Sequence, residues 1–71
     1  MKNFELSEEE AIKLGNLLKK RREELGYSTN YIEIHTGINK ADLSRIENGK
    51  KKKINPLYLK ELSNILKLNQ I

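Results

Sequence analysis

Residues 40–53, KADLSRIENGKKKK, concentrate the side chains best able to act on a partner. Leu43 and Ile46 share one side of a helix, which leaves Lys40, Ala41, Ser44 and Arg45 on the other. Four consecutive lysines, Lys50, Lys51, Lys52 and Lys53, follow. This set offers hydrogen-bond donation and charge neutralisation rather than bond making: a guanidinium presents a rigid fork of donors, and ammonium groups neutralise anions. The rest of the chain gives no rival chemistry. His35 is the single histidine and cysteine is absent, so neither a nucleophile–histidine set nor a thiolate zinc site can be assembled. The acidic residues 8–10 read as a helix start, and there is no glycine-rich phosphate loop. No enzyme, metal or cofactor is expected. Tyr27, Tyr31 and Tyr58 are scattered, which suits core edges better than a platform for stacked bases.

The elements that must position residues 40–53 have to come from one small core. A chain of 71 residues buries only about 60% of its unfolded surface, so a single domain, 1–71, is expected. Without disulfides its stability must come from packed aliphatic side chains. No apolar run approaches the roughly 20 residues of a bilayer span and no signal sequence opens the chain, so no membrane association and a cytoplasmic location are expected. Charge is unevenly placed. Residues 1–35 hold six Lys/Arg and seven Asp/Glu, a net −1, whereas 36–71 hold eight and three, a net +5. Such a one-sided basic surface attracts a polyanion, nucleic acid before anionic membrane.

Periodicity predicts helices throughout and no strand, an all-α bundle of four to five helices. Ser7 with Glu10 forms a capping box that opens helix 8–25, which carries Leu14, Leu17, Leu18 and Leu25 and stops at Gly26. Ser28 caps a helix over 29–36 that Gly37 ends; Asn39 caps one over 40–48 that Gly49 ends. Asn55-Pro56 opens helix 56–67, with Leu59, Leu62, Ile65 and Leu66 on one face. Helices of two turns are marginal alone, so packing must hold the middle pair. Thr36-Gly37-Ile38-Asn39 supplies a tight turn between them that sets their axes steeply across each other. A short helix with an apolar inner side and a small, basic outer side suits the major groove of DNA, about 12 Å wide.

From Leu14 to Leu66 the sequence resembles the Cro and phage-repressor helix-turn-helix regulators, the xenobiotic-response-element family. The ordered set Gly37, Ile38, Leu43, Ser44-Arg45-Ile46-Glu47 and Gly49, with Arg22 and Leu25 upstream, carries the resemblance. It implies a lambda-repressor-like domain in which 28–36 is the positioning helix and 40–48 the recognition helix, with Lys40, Ala41, Ser44 and Arg45 facing base edges. Arg45 is the first choice for readout, since a guanidinium can donate to both guanine O6 and N7. Phosphate contacts are expected from Ser28, Thr29, Asn30 and Asn48 at the starts of the two helices, from the lysine loop, and from Asn55. Thr29 stands where the family commonly has glutamine and is too short to copy its reach. The resemblance also implies a structural ion pair between Arg22 and Glu47.

Three positions depart from the family pattern. Glu33 replaces a usual alanine and must turn outward or find a cation, and Ile34 replaces a usual polar residue. Ile34 is expected to cover the segment around Phe4 and Leu6 or to form a partner surface. The chain stops at Ile71, where a fifth helix begins in the family, so a missing C-terminal domain, replacement of its packing by the extended N-terminus, or a protein partner is expected. The sum is a sequence-specific reader of double-stranded DNA, a transcriptional regulator and repressor, acting as a homodimer on an inverted repeat. The alternative is a protein–protein adaptor such as an antitoxin or antirepressor component.

Overall fold

The computed structural model describes residues 4–68, and for Phe4 the backbone alone. Its elements run β1 (Phe4–Glu5), α1 (Glu8–Glu24), α2 (Thr29–Thr36), α3 (Lys40–Glu47), β2 (Lys53–Ile54) and α4 (Pro56–Ile65). Each helix begins on a side chain that takes up an orphan amide. Ser7 and Glu10 bond reciprocally, Ser28 Oγ accepts from the Tyr31 amide, and the Asn39 and Asn55 side chains accept from Ala41 and Leu57.

The core lies where the four helices converge. Leu18, Ile32, Ile38, Leu43, Ile46, Ile54, Leu62 and Leu66 are all buried, and Leu6, Leu14, Leu25, Tyr58 and Leu59 close over them. Each such aliphatic side chain contributes about 1.5–3 kcal/mol relative to full exposure, enough in sum to hold helices that would not form alone. Two turns of α2 and two of α3 are fixed in this way by Ile32, Leu43 and Ile46.

Three expectations change. A strand pair is present: β1 and β2 are antiparallel, with Phe4 opposite Ile54 and Glu5 opposite Lys53. Two residues per strand are too few to produce an alternating pattern, so nothing in the sequence could announce it. Helix 4 ends at Ile65 rather than 67, because Leu66 caps it and Lys67 takes a left-handed conformation (φ 58°); Arg21 Nε donates to the Leu66 carbonyl at 2.9 Å and satisfies that helix end. Leu17 is turned away from the core, 53% exposed. The inner stripe of α1 is instead Ala11, Gly15 and Leu18; the missing side chain at Gly15 lets α1 lie close against the end of α3.

Candidate nucleic-acid interface

The turn between α2 and α3 is built from three hydrogen bonds and one buried side chain. Gly37 has φ 79°, a left-handed conformation that costs other residues steric strain, and its amide donates to the Glu33 carbonyl at 2.9 Å. Thr36 Oγ1 donates to the Ile32 carbonyl at 2.6 Å and accepts from the Ile38 amide at 3.1 Å. Ile38 is driven into the core at 1% exposure. The chain then restarts as a helix on Asn39.

Glu33 neither turns outward nor takes a cation here. Its Oε2 accepts from the Lys40 amide at 3.0 Å, so a carboxylate from α2 caps α3 across the turn. A negative group at a helix N-terminus is favoured by both hydrogen bonding and the helix dipole. The consequence for anion binding is direct: the Lys40 amide goes to Glu33 and the Ala41 amide to Asn39. The start of α3 is therefore occupied by its own caps, whereas the first turn of α2, with Ser28, Thr29 and Asn30, keeps amides that have no intrahelical acceptor.

On α3, Leu43, Ile46 and Glu47 face inward, while Lys40, Ala41, Ser44 and Arg45 are exposed, together with Asn48 just past the helix. Asn48 caps the C-terminus of α3, not a helix start as expected, and its Nδ2 donates to Ser44 Oγ at 3.2 Å. Beside Arg45 lies Asp42, which is not among the residues expected at the site: Arg45 Nη1 donates to Asp42 Oδ1 at 3.0 Å, and Lys51 Nζ is 3.9 Å from the same oxygen. An acid three residues ahead of an arginine on one helix is a legible signal.

Gly49 (φ 71°) reverses the chain after α3, and the Lys50 amide donates back to the Arg45 carbonyl at 2.9 Å. Lys50 and Lys52 are exposed and Lys51 is half-buried. The lysine loop is tied back to β1. The Lys52 carbonyl accepts from the Leu6 amide at 2.9 Å, and Lys53 lies in β2 with its Nζ 3.8 Å from Glu5 Oε1. Asn55 is an N-cap, its side chain engaged by the Leu57 amide at 2.9 Å.

Arg22 reaches from α1 to the end of α3. Its Nε and Nη2 donate to Glu47 Oε2 and Oε1 at 2.7 and 3.1 Å, and its Nη1 donates to the Tyr27 carbonyl at 2.8 Å. The hydrogen-bonded Glu47 carboxylate holds the guanidinium pKa above its usual value against the opposing cost of burial.

Tyr27 and Tyr58 pack at the edge of the core, as expected. Tyr27, just ahead of α2, stacks on Tyr31 with centroids 4.3 Å apart, and His35 lies tilted against Tyr31 at 4.1 Å, each contact at four-residue spacing. Ile34 is 69% exposed and covers little; the part of that expectation involving Phe4's side chain, like the one concerning the chain end, lies outside the described residues.

A helix held by its inner face behind a tight turn, with a short polar and basic outer face, defines a helix-turn-helix protein. A family model described as Helix-turn-helix matches residues 18–69. The chain belongs to that family, the Cro/C1-type helix-turn-helix DNA-binding regulators, and has its lambda-repressor-like fold. A search of curated proteins finds no match. No helix among the described residues is long and apolar enough to cross a membrane.

Proposed function

We propose that the chain is a sequence-specific transcriptional regulator, a repressor, that places α3 in the major groove of double-stranded DNA as a homodimer on an inverted repeat. The observation that carries this reading is the outer face of α3. Lys40, Ala41, Ser44 and Arg45 are exposed on a helix whose other side is sealed by Leu43 and Ile46. Ala41 is small enough to approach a thymine methyl, Ser44 can donate or accept, and Arg45 can pair with guanine. Lys40 either donates to guanine or neutralises a phosphate.

The first turn of α2, Asn48, and Lys50 to Lys53 are proposed phosphate contacts, which fix register and supply affinity without sequence preference. Asn55 has the weakest claim among them, since its side chain is already used as a cap. One helix reads only a few base pairs; two copies on half-sites about 34 Å apart multiply the discrimination, which is the argument for a dimer. A bacterial or phage-type regulator of this kind works in the cytoplasm.

Selection of bound duplexes from a random pool at two salt concentrations, with Arg45→Ala beside the parent, tests the reading. An inverted-repeat site enriched by the parent, with preference lost at one symmetric pair of positions in Arg45→Ala, is the expected result. Salt-sensitive binding with no enriched site would reduce the basic half to a general phosphate patch. Salt-insensitive capture of a protein instead would favour the adaptor alternative.

A further inference from the structure

We propose that Asp42 is a positioning residue for Arg45, fixing the guanidinium that reads a base edge, an assignment resting on the DNA-reading role of α3 proposed above. Asp42 Oδ1 accepts from Arg45 Nη1 at 3.0 Å and lies 3.9 Å from Lys51 Nζ, so one carboxylate oxygen links the recognition helix to the lysine loop. The Arg45 side chain is 59% exposed, whereas Asp42 and Lys51 are 25% and 30% exposed. The acceptor is therefore the better held of the two partners, and it constrains a side chain that would otherwise sample many rotamers.

Stability does not account for the arrangement, because an exposed pair three residues apart on a helix adds little to folding. Affinity does not account for it either. A negative charge among cations that meet phosphate weakens binding to every DNA sequence alike. What the carboxylate supplies is orientation. Only one guanidinium N–H is engaged, so a bidentate pair to guanine O6 and N7 remains available, and its geometry is set before DNA arrives.

The test compares the parent, Asp42→Ala, Asp42→Asn, Arg45→Ala and the double Asp42→Ala/Arg45→Ala variant. Each is measured for binding to the site the parent selects, to that site with single base pairs exchanged, and to random duplex. Asp42→Ala is expected to bind random duplex at least as tightly as the parent, while discrimination at the base pair read by Arg45 falls about tenfold. The double variant should lose no more at that pair than Arg45→Ala alone, since the two residues act as one unit. Asp42→Asn keeps an acceptor oxygen without the charge and should fall between; it also carries the test if Asp42→Ala melts too early to assay.

Discrimination by both Asp42 variants equal to the parent's, with Arg45→Ala defective, would overturn the positioning role and leave the DNA reading intact. Loss at a different base pair from Arg45 would overturn it too, making Asp42 a direct reader. A parent that enriches no site, or an Arg45→Ala that discriminates as well as the parent, would fail the underlying reading and this role with it.

Discussion

Arg22 and Glu47 meet in a two-pronged ion pair, 2.7 and 3.1 Å, with side chains only 12% and 6% exposed, and so bolt α1 to the last turn of α3. The third arm of the guanidinium holds the Tyr27 carbonyl just ahead of α2. One side chain thus fixes both helices of the helix-turn-helix to α1. A buried pair of this kind is weak support for net stability, because desolvation opposes the attraction, but removal of one partner strands a charge.

Glu47→Ala is accordingly expected to cost about 3–5 kcal/mol. At about 4–8 °C per kcal/mol for a domain of this size, its melting temperature should fall by at least 10 °C or so. Replacing both residues with apolar side chains of similar volume should cost less than the single change. Thermal melts followed by circular dichroism decide it; a Glu47→Ala melt coincident with the parent's would mean the pair adds nothing.

Gly15→Ala should be destabilising, against the sign that helix propensity predicts. In a helix interior alanine is favoured over glycine by about 1 kcal/mol. Here a Cβ at position 15 would meet the Ile46 carbonyl oxygen, and would lie 2.6 Å from the Glu47 carbonyl oxygen and 2.9 Å from its carbon. These are backbone atoms that cannot swing aside, so α1 must move off α3, at about 1–3 kcal/mol. A urea midpoint for Gly15→Ala at or above the parent's would show that the two helices are not held this tightly.

How far the sequence foretold these contacts depends on their range. Ser7, Ser28, Asn39 and Asn55 announce their helices because a cap acts on amides within three residues, and Gly37 announces the turn because few other residues adopt its φ. The two faces of α3 could be separated because Leu43 and Ile46 are the only large apolar residues in a short helix. On α1 leucines occur on several sides, so leucine spacing does not separate exposed Leu17 from buried Leu18, and Ala11 and Gly15, whose smallness is the point, give little hydrophobic signal. The Glu33 cap was illegible for another reason: it bridges a turn whose path had to be known first.

Glu33→Ala tests that cap. Losing the acceptor for the Lys40 amide should destabilise the domain by about 1 kcal/mol, in the range of N-cap losses, whereas Glu33→Gln keeps an acceptor oxygen and should lose less. If both variants matched the parent in chemical denaturation, the contact would not contribute.

The Glu10 side of the capping box carries a pH dependence. Its carboxyl pKa is lowered from 4.5, first by the hydrogen bond from the Ser7 backbone, then by the Ser7 side chain. A depressed folded-state value means that the stabilisation is present above about 4.5 and is lost as the pH falls through the folded value below it. Glu10→Ala should therefore melt below the parent at pH 7, and the gap should close as the pH is lowered past 4.5. A gap constant from pH 7 to pH 3 would assign the effect to helix propensity rather than to the charge.

The lysines should divide by their partners. Each ammonium that neutralises a phosphate on duplex DNA contributes about 0.9 to the slope of log affinity against log salt. Lys50 and Lys52 are exposed and, if they meet phosphates as proposed, Lys50→Ala and Lys52→Ala should each lower the slope by about that amount with site preference intact. Lys53 sits opposite Glu5 in the strand pair, Nζ to Oε1 3.8 Å, with both side chains at least 70% exposed. A phosphate must compete there with a carboxylate, so Lys53→Ala should change the slope less, and Glu5→Ala should raise affinity at low salt by removing a local negative charge. Equal slopes for Lys50→Ala and Lys53→Ala would mean that Glu5 gives way when DNA binds; no change in any of the three would move the phosphate contacts off this loop and onto the first turn of α2.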